Sequence, residues 1–278
     1  MAENITPSVG ETATPAQEPQ GEPLLRLRGI NKSFGAVRAL SGVDFEVYAR
    51  EVVGLVGDNG AGKSTLIKVI SGVEPADDGE IFVEEQPVKI ATPQAATRLG
   101  IQTVYQDLAL CDNLDVVSNL FLGREEHSPV SILNENDMER QGVQVLRTLD
   151  VKLPSVRAIV KSLSGGQRQS IAVAKSILRN AKIVLLDEPT AALGVAQTRQ
   201  VLQLIHRMRE QGLAVVVISH NLADVFEVVD RVIVLRLGKR VGTFDVKNTT
   251  PEQVVSAITG AEFGELLTTG ANGNSGEN

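Results

Sequence analysis

A single cysteine, Cys111, is all the thiol chemistry that this 278-residue chain possesses. It has no partner for an intrachain disulfide and no metal-ligand spacing around it, so it reads as a small packed side chain without a redox role. Long apolar runs are missing as well. No stretch approaches the roughly 18 to 20 consecutive apolar residues that cross a bilayer, and the polar N-terminus has neither the basic nor the apolar region of a signal peptide. The expectation is a protein that stays in the cytoplasm. Basic charge is also in short supply: 27 Lys and Arg stand against 34 Asp and Glu, for a net charge of −7. Most of that excess sits at the ends, where Glu3, Glu11, Glu18, Glu22, Glu265 and Glu277 have no Lys or Arg beside them. The near-neutral remainder offers no basic footprint for a phosphate backbone, which argues against a nucleic-acid partner. His127 and His206 belong to no motif and are expected at the surface.

What remains is ordinary material for a globular core, 42% apolar. Residues 1–23 and 264–278 are rich in Glu, Pro, Thr, Gly or Asn without apolar periodicity, so disorder is expected of both tails, leaving a globular region over 24–263. Neither an internal repeat nor a second phosphate loop occurs in the sequence. Short apolar runs at 52–56, 101–105, 183–186, 214–218 and 232–235 read as buried strands. Helical patterns separate most of them, and several end in Gly, Asp, Ser or His. That rhythm predicts an α/β sheet with ligand-bearing groups at the carboxyl edge of its strands. Residues 107–160 break the rhythm, being more helical and polar, with an amphipathic helix expected over 134–150.

Two segments carry recognisable phosphate chemistry. Gly57-Asp58-Asn59-Gly60-Ala61-Gly62-Lys63-Ser64 fits the G-x-x-x-x-G-K-[ST] loop, in which backbone N–H groups turn inward around a β-phosphate and Lys63 reaches the β and γ oxygens. It follows an expected strand and opens a helix through Thr65, Leu66, Ile67 and Ile70, so the helix N-terminus adds its dipole. Ser64 would place its hydroxyl on Mg²⁺, and Asp187, delivered to the sheet edge by the apolar run before it, would hold that ion from the other side. Glu188 next to it is placed to polarise an attacking water; taken alone, the pair would be a solvated turn before Pro189. The second segment is Leu163-Ser164-Gly165-Gly166-Gln167. Ser164 is a good N-cap, the two glycines allow close approach, and the helix buries Ile171, Ala174, Ile177 and Leu178. The helix N-terminus there again favours an anion.

Together these motifs make residues 24–263 resemble an ATP-binding cassette (ABC) protein, for which Leu163-Ser164-Gly165-Gly166-Gln167 is the signature. The resemblance implies a P-loop NTPase cassette with a RecA-like core, an antiparallel β subdomain and a helical signature subdomain over about 107–175. It implies that Asp187 and Glu188 form the Walker B pair, that Gln106 touches Mg²⁺ or the attacking water, that His220 hydrogen-bonds the γ-phosphate, and that Phe34 stacks on adenine. Catalysis would then rest on Glu188, His220, Lys63 and Gln106, and Mg²⁺ on Ser64, Gln106 and Asp187. Ser164, Gly165, Gly166 and Gln167 would face the ATP held by a second cassette, expected to be an identical copy, with two nucleotides sandwiched between. After Glu188-Pro189-Thr190 the family usually reads Ser-Ala-Leu-Asp, whereas this chain has Ala191-Ala192-Leu193-Gly194; altered cross-talk between the two sites is expected.

Within the family, Val104-Tyr105-Gln106-Asp107-Leu108, Asn119-Leu120-Phe121-Leu122-Gly123-Arg124-Glu125 and Gln167-Arg168-Gln169-Ser170-Ile171-Ala172 are similar to ATPase subunits of bacterial monosaccharide importers for ribose, xylose or fructose. That implies a peripheral subunit on the cytoplasmic face of the cell membrane, working with transmembrane permease subunits and, indirectly, a solute-binding protein. Another cargo, an amino acid, lipid or drug, keeps the same fold. A soluble non-transport ABC ATPase or a regulatory nucleotide-binding module stands further off, the former lacking its usual paired cassettes or heptad arms here.

Overall fold

The computed structural model describes residues 21–127 and 133–260. The disorder expected of both tails therefore falls, but for residues 21–23, outside the described residues. In chain order the elements are β1 (Leu25–Phe34), β2 (Val37–Val47), β3 (Val52–Val56), α1 (Lys63–Ile70), β4 (Asp78–Val83), β5 (Gln86–Val88), α2 (Pro93–Arg98) and β6 (Ile101–Val104). Three helices follow, α3 (Val116–Phe121), α4 (Glu135–Thr148) and α5 (Gly165–Leu178). The described order closes with β7 (Ile183–Asp187), α6 (Val195–Glu210), β8 (Ala214–Ile218), α7 (Leu222–Val228), β9 (Arg231–Arg236), β10 (Lys239–Asp245) and α8 (Pro251–Thr259).

All five strands expected from the apolar runs form, and they join one sheet in the order β10-β9-β3-β8-β7-β6. It is parallel throughout except for β10, which returns antiparallel to β9. Because β3, β7 and β8 are covered on both faces they are apolar almost without interruption. The alternation of strand side chains still divides them between two cores. Val52, Val184, Val215 and Val232 face the layer of α3 to α8, whereas Val53, Ile183, Val216 and Ile233 face α1 and a second sheet. That second sheet is antiparallel, in the order β2-β1-β4-β5. Its long strand β1 alternates cleanly through Leu25 and Leu27, then shifts register before Ile30 at Gly29, whose φ is +59°.

The helix expected over 134–150 is α4, capped by the Asn134 side chain accepting from the Asp137 N–H. It packs with α3 against α5. Asn119, fully buried on α3, fixes the preceding loop by accepting from the Cys111 N–H at 2.7 Å and donating to the Cys111 carbonyl at 3.0 Å. Cys111 itself is free and half-buried. His127 is exposed, but His206 is half-buried, because it stands one turn after buried Leu202 on α6.

One buried ion pair staples the two layers. Glu51, in the turn between β2 and β3, and Arg231, at the start of β9, are 6% and 7% exposed and bond through Arg231 Nε. Glu51 Oε2 also accepts from the Tyr48 N–H at 2.9 Å, and Arg231 Nη2 donates to the Glu46 carbonyl at 2.6 Å. Each charge is thus fully engaged, and removing one strands the other in a low-dielectric site. Glu51→Ala is expected to destabilise the protein by about 3 to 5 kcal/mol, read from urea denaturation; a loss indistinguishable from zero would contradict this account of the layer contact.

Candidate functional site

The phosphate loop leaves β3 at Val56 and turns through Gly57, Gly60 and Gly62, with φ of +150°, +80° and +106°. Two of these positions admit no side chain. A Cβ on Gly57 would lie 2.1 Å from the Leu235 carbonyl oxygen of β9, and one on Gly62 would lie 2.8 Å from the Ala39 carbonyl oxygen of β2. The loop is therefore clamped between both sheets, and the Gly238 N–H adds a 3.0 Å bond to the Ala61 carbonyl. At its end α1 begins without a side-chain cap and without an acidic residue in its first turn. Those N–H groups remain free to take an anion. Lys63 folds back over the loop, donating from Nζ to the Gly57 carbonyl at 2.6 Å and the Asp58 carbonyl at 3.0 Å. Asp58, Asn59, Gly60 and Ser64 are exposed, and Thr65 is half-buried. Burial pulls the Lys63 pKa below its ordinary value, with Glu188, Asp58 and Asp187 acting in the opposite direction.

Across the sheet edge, β7 ends at Asp187 and β8 at Ile218, paired in register. Asp187 is half-buried, and its side chain makes no hydrogen bond or ion pair among the described residues. Burial, then the neighbouring Glu188 charge, push its pKa up, against the pull of Lys63. Glu188 adopts φ +49° and donates its N–H to the Ile218 carbonyl at 2.8 Å. That left-handed turn aims its carboxylate at the end of β8, where Oε1 meets His220 Nδ1 at 2.9 Å and Oε2 accepts from Ser219 Oγ at 3.4 Å. The His220 ring is largely exposed.

At the start of α5, Ser164 and Gln167 form a reciprocal capping box: Ser164 Oγ accepts from the Gln167 N–H at 3.3 Å, and Gln167 Oε1 accepts from the Ser164 N–H at 3.0 Å. Gly165 and Gly166 pack close to α6 and the turn before it, where a Cβ would come within 2.7 Å of Leu193 Cδ2 and 2.9 Å of Gln200 Oε1 respectively. A cleft of about 570 Å³ runs from this helix end to the sheet edge, lined by Gln106, Asp107, Gly165, Arg168, Glu188 and Leu193 among others. Gly194, at the cap of α6, faces open space, so a side chain there meets no obstacle.

Lys63, Asp187, Glu188 and His220 thus gather at one edge of the parallel sheet, and Gln106 and Gly165 share a cleft with Glu188. Phe34 stands apart at the turn between β1 and β2, 44% exposed, with Lys32 Nζ 5.4 Å from its ring centroid. Ser164 and Gln167 are spent on their own helix cap. Ser64, Gln106 and Asp187 could hold Mg²⁺: they offer hydroxyl, amide and carboxylate oxygens, the hard donors that ion takes, and Asp187 has no competing partner. No cluster of three or more His, Cys, Asp or Glu among the described residues could cage a metal alone. Sequence reasoning missed Ser219, which donates to Glu188, and Thr190 and Asp224, which bond to each other; only their nearness to Glu188 and His220 could have flagged them.

Several known proteins resemble this chain. The family model for the ABC transporter matches residues 40–191. A xylose/arabinose import ATP-binding protein of Sulfolobus acidocaldarius is 43% identical, over 87% of this chain and 96% of the relative. A fructose import ATP-binding protein of Rhizobium meliloti is 44% identical, over 87% of this chain and 95% of its own length. A ribose import ATP-binding protein of Clostridium tetani is 37% identical, this chain covering 48% of it. Among solved structures, an ATP-binding cassette of an ABC transporter in its ADP conformation superposes with a TM-score of 0.76 at 26% identity, covering 86% of this chain and all of the other.

Because the folded site raises the pKa of Asp187 above its unfolded value, ionising this carboxylate costs stability. The favourable contribution is present below the unfolded pKa and is lost as pH rises through the folded one. Without nucleotide, Asp187→Asn is expected to melt a few degrees above the parent at pH 7, the gap closing as the pH is lowered toward 4. Thermal melts across that range check it, and an equal or lower melting point at pH 7 contradicts it.

Proposed function

Since this chain belongs to the ABC transporter family, we propose that it is the ATP-hydrolysing subunit of a monosaccharide importer, working on the cytoplasmic face of the cell membrane. Its catalytic part rests on one observation above all, the convergence of Lys63, Asp187, Glu188 and His220 at the edge where the phosphate loop opens. The sugar cargo is supported by the two relatives that match nearly end to end, both of them sugar import ATP-binding proteins. No helix among the described residues is long and apolar enough to cross a membrane, which suits a subunit needing a separate permease.

In this reading Phe34 stacks on adenine and the loop N–H groups from Gly60 to Thr65 bind the β-phosphate. Lys63 exchanges its bonds to the Gly57 and Asp58 carbonyls for phosphate oxygens. Glu188 accepts a proton from water as the water oxygen attacks the γ-phosphorus, the bond to the β–γ bridging oxygen breaks, and ADP departs. His220 leaves the Glu188 carboxylate to hydrogen-bond the γ-phosphate. Bound Mg²⁺, held by Ser64, Gln106 and Asp187, would neutralise charge developing on the phosphates.

The signature turn at Ser164, Gly165 and Gly166 would meet the γ-phosphate of a second copy of this chain, so that two ATP molecules close the dimer and hydrolysis reopens it. The permease would dock in the cleft beside Gln106, and a solute-binding protein outside the membrane would choose the sugar. Gly194, lacking the carboxylate expected there, would loosen communication between the paired sites.

Glu188→Gln is expected to lose at least about 100-fold in ATP turnover while still binding ATP and accumulating as a closed dimer on size-exclusion chromatography. Turnover at the parent rate would remove Glu188 from the mechanism. The cargo reading has its own check: the same variant, tagged and extracted gently from native membranes, should bring down a polytopic permease and a sugar-binding protein. Recovery of ribosomes or DNA-repair proteins in their place would overturn transport and leave the ATPase chemistry standing.

A further inference from the structure

The geometry points to Asp224 and Thr190 as a positioning pair that holds the Glu188 turn in its working conformation through a second tie to the segment that carries His220. It rests on the reading of Glu188 as the base, and adds residues to which the motifs assigned no role. Glu188 is a non-glycine residue at φ +49°, a sparsely populated conformation that persists only where neighbours impose it. Its N–H to the Ile218 carbonyl fixes one end of the turn. The other end runs through buried Pro189 to Thr190, whose Oγ1 donates to Asp224 Oδ2 at 2.6 Å.

Asp224 lies in the first turn of α7, the short helix that follows His220. Acidic residues there are common as helix-end charges, but this one does not serve as the cap. Asn221 does, its Oδ1 accepting from the Ala223 N–H at 3.1 Å and the Asp224 N–H at 3.5 Å. The Asp224 carboxylate is directed across to the β7 turn instead. Two side-chain ties therefore join the same two segments, Glu188 to His220 and Ser219 on one side and Thr190 to Asp224 on the other. If His220 swings from Glu188 to a phosphate during the cycle, the Thr190–Asp224 bond remains, beside the longer Ser219 contact, to keep the Glu188 turn registered on α7. Both residues are half-buried, so the bond is partly shielded from water.

The test uses the purified full chain, with ATP turnover, ATP affinity and melting temperature measured together. Thr190→Val and Asp224→Ala are each expected to lower kcat about ten-fold while KM for ATP stays within about two-fold, the mark of an interaction realised in the transition state. Combined, they should lose no more than the worse single variant, because both break one bond. Thr190→Ser and Asp224→Asn, which keep a donor and an acceptor, should restore kcat to within about three-fold. A helix-end charge alone would move the melting temperature and leave kcat intact, and that result overturns the proposal. So does a double variant whose losses multiply. Should Thr190→Val fail to fold, the contrast between Asp224→Ala and Asp224→Asn decides the matter. Glu188→Gln run alongside separates the two ideas: turnover surviving in it removes Glu188 as base, whereas turnover lost in it but intact in Thr190→Val removes only the tie.

Discussion

Coverage of the parallel sheet on both faces is the constraint from which the rest follows. With α-helices on one side and α1 plus an antiparallel sheet on the other, β3, β7 and β8 have no face on which a polar side chain could meet water. Every group that does chemistry is therefore expelled to the strand ends. Parallel pairing adds that the ends with the same polarity line up, since Asp187 is paired with Ile218 and Val56 with Val234. Three chain segments far apart in sequence thus finish within reach of one another: the phosphate loop, the Asp187-Glu188 turn and the Ser219-His220 turn.

The assembled edge gathers charges in a partly buried setting. Lys63 and Asp187 both have pKa values moved toward their neutral forms, chiefly by burial, and Lys63 spends its donors on carbonyls of its own loop. Glu188 sits in a left-handed turn. The same low-dielectric surroundings that penalise these charges alone strengthen their interaction with anything of complementary charge that enters. Anions placed against the loop N–H groups, with a cation beside Asp187, would relieve several of these costs together. Nucleotide binding is then expected to raise the stability of the protein.

Legibility in the sequence followed the same physics. The buried strands were plain because double-sided burial leaves uninterrupted apolar runs, and Ser164 announced its helix because a cap needs that residue type at that place. The strands β1, β2, β4 and β5 were expected only as part of a family resemblance. β1 shows why: the register shift at Gly29 moves the inward position from Leu27 to Ile30, so a period of two fails midway. At the site, Lys63, Ser64 and Asp187 were expected from the loop pattern and the strand end, and His220 only from the family resemblance. Thr190 and Asp224 were not, since a bond between residues on two different turns leaves no spacing to detect.

The pairing of β3 carries a further implication for how the chain comes into being. This strand, which launches the phosphate loop, is hydrogen-bonded on one side to β8 and on the other to β9, with Val52 opposite Val215 and Val53 opposite Arg231. At synthesis rates of about 5 to 20 residues per second, β3 waits roughly 8 to 30 s for its neighbours to be made. Throughout that interval an apolar strand stands without either edge partner, a template for wrong pairing that early chaperone contact would have to shield. The phosphate loop reaches its final packing, with Gly57 against the Leu235 carbonyl, only once β9 has been made.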